Sequence, residues 1–522
     1  MASNGKGAAT LPAADGPLGY LTNNIRASGR NPTRVLAGFI AAWAMFALII
    51  WVFPIPAGLK PEGMAVLAIV VWASLMWVSE AMPVGITGIS IPLLLILTHA
   101  LPWTKGPPLE QVFVGFTRHV VWLVLFAFLV GAIMQLLKLD RRIALGILDK
   151  IKASNVGRVI WGFFGVNLIL SFFIPAAVAR SATVMPIIQG VTNLLGDSER
   201  ERDAKKAIVI QTLVYGSMIT GMFIMTAHLP NLILVDLFGK NGFQIGYLDW
   251  MLLQFPYLGM FALTQWWIRY HFKTAGVDIA GGHAAIHKMH KDLGKMSNSE
   301  WLLVAIFTGV ALVFAMGKGS PIYQLHKFQL GIIGLIGILV LFTPGLFRFK
   351  WKEVQDRTMW GTFLLLGGAI TLTGAMSKSG LALWLADLIH GVVTGHSWWM
   401  VLLIMMAGTH IVRIGMLSNV AAITMLAPIL FELGKQLGLH PVAFTMLVAD
   451  TDTFAYLLPT QITAAVIAYG TETFSTADYA KAGWVSILIA IAYGIVIMAP
   501  WYAFLGMPVW DPAAAWPFGG NG

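Results

Sequence analysis

The chain has no cysteine and little charge: of 522 residues none is Cys, and 11% are Asp, Glu, Lys or Arg. The first absence excludes disulfide bridges, thiolate nucleophiles and Cys-ligated zinc or iron–sulfur centres. The second excludes an ordinary soluble globule, in which about a quarter of residues are charged. Two catalytic signatures are missing as well, the His-Glu-x-x-His metalloprotease helix and the Gly-x-Ser-x-Gly nucleophile elbow, so an intramembrane enzyme has little to rest on. What is abundant is apolar: 57% of residues are hydrophobic and the mean hydropathy is +0.76. The run from Val35 to Phe53 carries no charge, and at about 1.5 Å per residue it spans a hydrocarbon core of about 30 Å. Such a chain lives in the lipid bilayer.

Charge sets the orientation. Residues 1–33 are polar and Gly/Asn-rich, too long for a signal n-region, and are followed by no small-residue cleavage site. They read as a retained, disordered tail. Lys6, Arg26, Arg30 and Arg34 outweigh Asp15 there, which places the N-terminus in the cytoplasm of a cell (inner) membrane protein. The net charge of +10 gathers in segments such as 138–158 and 273–295; it is accounted for by topology, without nucleic acid, and is compatible with an anionic substrate. His283, His287 and His290 have helical spacing that suits a metal, but a solvated basic loop over 271–300 is the simpler reading, and no role is assigned to them.

Two similar segments lie roughly 240 residues apart, Phe173–Pro186 and Gly415–Pro428. Each has a small-residue triplet, Ala176-Ala177-Val178 or Ser418-Asn419-Val420, beginning ten residues before a proline. The likeness extends upstream, from Trp122 to Leu145 and from Trp360 to Leu383. A second pair of breaks follows at 226–231 and 458–465, where Pro230 and Pro459 interrupt apolar runs. Breaks at corresponding positions of two halves point to the binding site of a secondary transporter. The stretches 157–195 and 397–433 are each roughly 40 residues long. Broken backbone at membrane depth must be surrounded by protein or line a cavity, so both read as re-entrant hairpins. The predicted fold is an all-α polytopic membrane protein, an inverted-repeat transporter with about 11 transmembrane helices, two re-entrant hairpins and broken helices. The expected division is a tail at 1–33, scaffold helices at 34–155, a first transport half at 156–245, scaffold helices at 246–395, a second transport half at 396–475, and a last helix with its tail at 476–522.

Ser418 and Asn419 stand where Ser or Asn caps a helix start. The free N–H groups there suit a carboxylate, while the Asn carbonyl and nearby backbone carbonyls suit a small cation; a polar cap at a helix break is the plainer alternative. Ala176, Ala177 and Val178 have no side-chain hydrogen-bonding capacity, so the first half-site is blunted. Arg180, deep in the membrane, needs a partner, either a substrate carboxylate gripped bidentately or an internal salt bridge. Pro230 and Asn231, and Gln461, Ile462 and Thr463, sit at breaks whose freed carbonyls can face a cation. His228 can titrate near neutral pH or be a hydrogen-bonded structural residue. Asp450 and Asp452 are candidates for coupling-ion ligands or proton relays, or for a membrane-edge position with one paired to Arg413. Glu80 reads as an interfacial anchor.

Together these stretches resemble the divalent anion:sodium symporter family, carriers of di- and tricarboxylates and sulfate. Ser79-Glu80-Ala81-Met82-Pro83 is similar to that family's Thr-Glu-Ala-Ile-Pro signature, Ser418-Asn419-Val420 to its second Ser-Asn-Thr motif, Pro230-Asn231 to the end of its Pro-Pro-Asn break, and 469–483 to the sequence after its second break. The resemblance implies a scaffold and a transport domain, elevator-type alternating access, a homodimer, and substrate and sodium sites at the triplets and breaks. It also has departures. The first Ser-Asn-Thr is Ala176-Ala177-Val178 and the second Pro-Pro-Asn is Thr463-Ala464-Ala465; Pro175 and Ala179-Arg180 are similar to the branch of citrate/succinate and oxoglutarate/malate exchangers. The expected function is secondary transport of a small organic anion, driven by Na+, protons or a counter-substrate. A sulfate or monoanion carrier and a non-transporting sensor are the alternatives.

Overall fold

Backbone in contact with lipid must satisfy its own hydrogen bonds, and helices do so within one segment. The computed structural model describes residues 16–28, 30–101, 108–279, 281–315, 329–416 and 418–518. Among them the regular elements are all helical, with one isolated bridge between Asn155 and Asp278. Among the described residues seven helices are long and apolar enough to cross a membrane, and the bent pair Leu381–Val393 and Trp398–Arg413, turned by 118°, adds an eighth if it is one span. Val84–Leu97, Asn298–Phe314 and Leu330–Leu341 are apolar but shorter. The protein is a multi-pass membrane protein, and among the described residues the helices on either side of the breaks are too short to cross alone.

The two halves repeat the same order of elements. In the first, His119–Leu137 ends at left-handed Lys138 (φ 59°), followed by Leu139–Lys150, Val156–Phe173, a break at 174–176, and Ala177–Thr192. In the second, Trp360–Lys378 is followed by left-handed Gly380 (φ 77°), Leu381–Val393, Trp398–Arg413, non-helical residues 414–416 and 418, and Asn419–Gln436. Each half then has a broken helix. The first runs from Glu199–Val209 through a π-turn at Ile210–Gly216 to Ser217–Phe223, makes a 3-10 turn at Met225–Ala227, and resumes at Leu229–Lys240. The second runs Pro441–Asp452, a 3-10 turn at Pro459–Gln461, and Thr463–Tyr469.

The halves interlock. Ala177–Thr192 packs on Thr463–Tyr469, and Leu229–Lys240 packs on Asn419–Gln436, so each post-break helix lies against one from the other half. The rings of Tyr215 and Tyr456 stack between them, centroids 3.9 Å apart. The apolar window of Glu199–Phe223 is 94% buried while that of Pro32–Val52 is 22% buried, which puts the first broken helix inside and the N-terminal span at the rim. Outside this centre, Val84–Leu97 lies along Trp360–Lys378 with glycines in the seam: a Cβ on Gly368 would stand 2.1 Å from the Gly88 carbonyl. Small residues allow such backbone approach where lipid offers no hydrophobic drive.

Two surface segments differ from expectation. Residues Gly16–Ala27 of the tail form a helix, with Arg26 in its last turn where a cation favours the dipole; residues 1–15 lie outside the described residues. The basic segment after 271 contains the helix Gly282–Lys291, packed on Leu139–Lys150. Its three histidines converge on one carboxylate: Asp149 lies 3.3 Å from His283, 3.0 Å from His287 and 2.9 Å from His290. Glu80, left-handed at φ 53°, ends Pro61–Ser79 and receives Arg30 on its carbonyl at 3.2 Å, with the Arg34 guanidinium 4.0 Å from its carboxylate.

Candidate functional site

Each break exposes backbone carbonyls that a continuous helix would have used. Around the first, the fully buried guanidinium of Arg180 donates from Nη1 to the carbonyls of Ile174 and Ala227, both at 2.8 Å, and from Nη2 to that of Ser217 at 2.7 Å. Ile174 lies just before the triplet, Ala227 ends the 3-10 turn, and Ser217 follows the π-turn. The absence of a side chain on Gly221 makes room, since a Cβ there would stand 2.5 Å from Nη2. Asn231 uses its amide nitrogen on the carbonyls of Gly221, Met222 and Ile224 at 3.1, 3.3 and 3.1 Å. Pro230 sits in the first turn of Leu229–Lys240, where its missing N–H is harmless. In place of an internal salt bridge, the hydrogen bonds of Arg180 go to backbone carbonyls.

The second break is arranged alike from different residues. Arg413, fully buried at the end of Trp398–Arg413, donates from Nη1 to the Met416 carbonyl at 3.2 Å and from Nη2 to the Gln461 carbonyl at 2.8 Å. Nη2 also donates to Oδ1 of Asn419, and Nε lies 3.5 Å from the Asp452 carboxylate. Gln461 returns a bond from Nε2 to the Arg413 carbonyl at 2.9 Å, while its Oε1 accepts from the N–H groups of Leu457 and Leu458. Asp452 is thus the aspartate that meets Arg413. Asp450 faces elsewhere, accepting from Gln254 Nε2 at 2.8 Å.

Asn419 joins the halves. Its Nδ2 lies 3.4 Å from Nε2 of His228, the residue preceding Leu229–Lys240, and 3.5 Å from the Thr453 carbonyl. A continuous path therefore runs from Ile174 through Arg180 to Ala227, then from His228 through Asn419 to Arg413 and Gln461. It touches the starts of four helices, at Ala177, Leu229, Asn419 and Thr463. Ser418 caps its helix by accepting from the Ala421 N–H at 3.4 Å, whereas Ala176 offers its helix no side-chain cap. Val420 and Ala177 are buried, Ile462 is buried in extended backbone, Val178 and Ser418 are half-buried, and Thr463 is exposed. Val178 borders a cavity of about 510 Å³ with Gln135, Asp140 and Thr183.

Sequence reasoning understated Arg413 and missed Ile174, Ser217 and Gln254. A lone cation in an apolar run five residues before Ser418 was a readable signal for Arg413. Carbonyls such as those of Ile174 and Ser217 leave none, because every residue has one.

The chain is similar to known proteins along most of its length. The profile of the sodium:sulfate symporter transmembrane region matches residues 35–508. A protein of Cupriavidus necator described as a membrane protein is 29% identical over 485 residues, covering 89% of this chain and 93% of its own. The sodium-dependent dicarboxylate transporter SdcS of Staphylococcus saprophyticus is 27% identical over 497 residues, covering 91% and 93%. The crystal structure of the Alcanivorax borkumensis YdaH transporter aligns with 81% of this chain and 99% of its own at 14% identity and a TM-score of 0.49. Since the match runs through both breaks and nearly every span, the chain belongs to the divalent anion:sodium symporter family and is a membrane transporter rather than an enzyme.

Proposed function

We propose that the protein is a secondary active transporter of dicarboxylate-like anions, working by elevator-type alternating access as a homodimer with its N-terminus in the cytoplasm. The observation that carries this reading is the meeting of helix starts from both halves at His228 and Asn419. Helix N-termini bring unpaired N–H groups and positive dipole ends, and Arg180 and Arg413 add positive charge behind them, so an anion is favoured there without a mobile cationic side chain at its surface. Ser418, Asn419 and Val420 from one half, and Ala176, Ala177, Val178, Pro230, Asn231 and Thr463 around them, form the substrate side of the site. The dicarboxylate class comes from the relatives named as sodium-dependent dicarboxylate transporters, and a two-ended anion suits a site with a helix start in each half. The moving parts are 156–245 and 396–475, with the remaining helices as scaffold.

The test is uptake of labelled succinate by proteoliposomes. Wild-type protein takes it up, and Asn419→Ala, which cuts the link between the halves, lowers uptake at least about 10-fold while purifying as a monodisperse folded protein. Undiminished uptake by that variant would remove Asn419 from the site. Uptake of labelled sulfate but not of labelled succinate would replace the dicarboxylate with an inorganic anion.

A further inference from the structure

The relatives' names imply sodium, and broken transmembrane helices hold it with unwound carbonyls. Here the break carbonyls that face each arginine are already engaged, and the Asp452 carboxylate at the second break is ion-paired to Arg413 at 3.5 Å. At the first break the carbonyls of Ile174, Ser217 and Ala227 accept from a guanidinium at 2.7–2.8 Å, those of Gly221, Met222 and Ile224 accept from Asn231, and the triplet supplies no side-chain oxygen. At the second break the Met416 and Gln461 carbonyls and Oδ1 of Asn419 accept from Arg413. A metal ion on the same oxygens would meet a fixed positive charge at contact distance, and an arginine does not lose its proton to relieve the repulsion. The residues present therefore do not fit a sodium ion at either break.

The two guanidinium groups occupy equivalent places. Ile174 and Met416 each lie two residues before the first residue of their triplet, and Ala227 and Gln461 each end the 3-10 turn of their broken helix. Yet Arg180 reaches its carbonyls from the helix after the first break, and Arg413 from the helix before the second. A copied motif would have put both arginines at the same repeat position. Arrival from opposite sides at matching oxygens is what a requirement for positive charge at each place produces.

We propose that Arg180 and Arg413 are resident cations that fill both carbonyl clusters, so that anion binding and translocation proceed without sodium at either break. This rests on the transporter reading above and deepens it: the charge that a symporter brings from solution is covalently attached, which leaves exchange of anions or coupling to protons, and not sodium, to drive the cycle.

The experiment is a thermal-shift titration of the purified full-length protein in sodium chloride and in choline chloride at equal ionic strength. For wild type the two salts are expected to give the same unfolding midpoint. A saturable sodium-specific rise would overturn the proposal. In Arg413→Ala the Met416 and Gln461 carbonyls, Asn419 Oδ1 and the Asp452 carboxylate lose their partner, and sodium at ten times its dissociation constant is expected to raise the midpoint by on the order of 1 °C over choline. A folded Arg413→Ala with no such gain would also overturn it, because an arginine with only a packing role leaves no cation site behind; should that variant fail to fold, the wild-type comparison decides alone. In proteoliposomes, succinate uptake is expected to be equal in sodium and choline, and a ratio above about 10 refutes resident cations. Equal midpoints with no uptake of any anion would uphold them and instead reject the transport reading.

Discussion

Asp149 is the residue on which three imidazoles close. Hydrogen bonds donated by His290 and His287, stronger than the opposing effect of burial, hold its carboxyl below the usual carboxylate range. A carboxyl whose folded value is depressed stabilises the native state above its unfolded value, near 4, and that contribution disappears as pH falls through the lower folded value. Asp149→Asn is therefore expected to lower the thermal midpoint at pH 7, by less than about 1 kcal/mol of stability because the cluster is partly wet, and the wild-type and variant midpoints are expected to begin converging as pH falls below about 4. A constant gap across that range would show that packing, not the ionised carboxyl, carries the contact. The histidine spacing was legible as a helix face in the sequence; its target was not, since Asp149 lies over 130 residues away in the chain.

At the scale of elements, the seam between Val84–Leu97 and Trp360–Lys378 is set by glycines. With a Cβ on Gly368 only 2.1 Å from a backbone carbonyl that cannot turn aside, Gly368→Leu must push the two helices apart. The expected outcome is a loss of at least about 1–3 kcal/mol, read as a lower midpoint and a smaller monodisperse fraction on size exclusion, with Gly391→Leu, where nothing lies within 4 Å, as the harmless control. The existence of the breaks was legible because proline, small triplets and polar residues interrupt long apolar runs. Their depth in the structure was less so: Gln461 at one break turns inward to bind Arg413, while Thr463 two residues on faces out. A short polar stretch fixes where a helix stops, but not which of its side chains the tertiary packing will enclose.

For the whole molecule, the elevator-type alternating access proposed above requires contacts between the proposed scaffold and moving parts to break. Ser74, on Pro61–Ser79, lies with Oγ 3.0 Å from Sδ of Met425, on Asn419–Gln436. Ser74→Cys with Met425→Cys, joined by a short thiol-specific cross-linker, is expected to stop succinate uptake, whereas either single variant treated alike keeps it. Full uptake by the cross-linked pair would require that these helices travel together. Because the chain has no cysteine of its own, the reagent meets no other thiol. The sequence separations within the central network have one more consequence, for how the protein is made. The bonds of Arg180 span 6, 37 and 47 residues and those of Arg413 span 3, 6 and 48, whereas the link from His228 to Asn419 spans 191. During synthesis the first half can shelter its own buried charge before the second has left the ribosome, so neither arginine waits exposed to lipid, and what the arginine network leaves for the finished chain is a neutral contact, the Asn419 amide against His228.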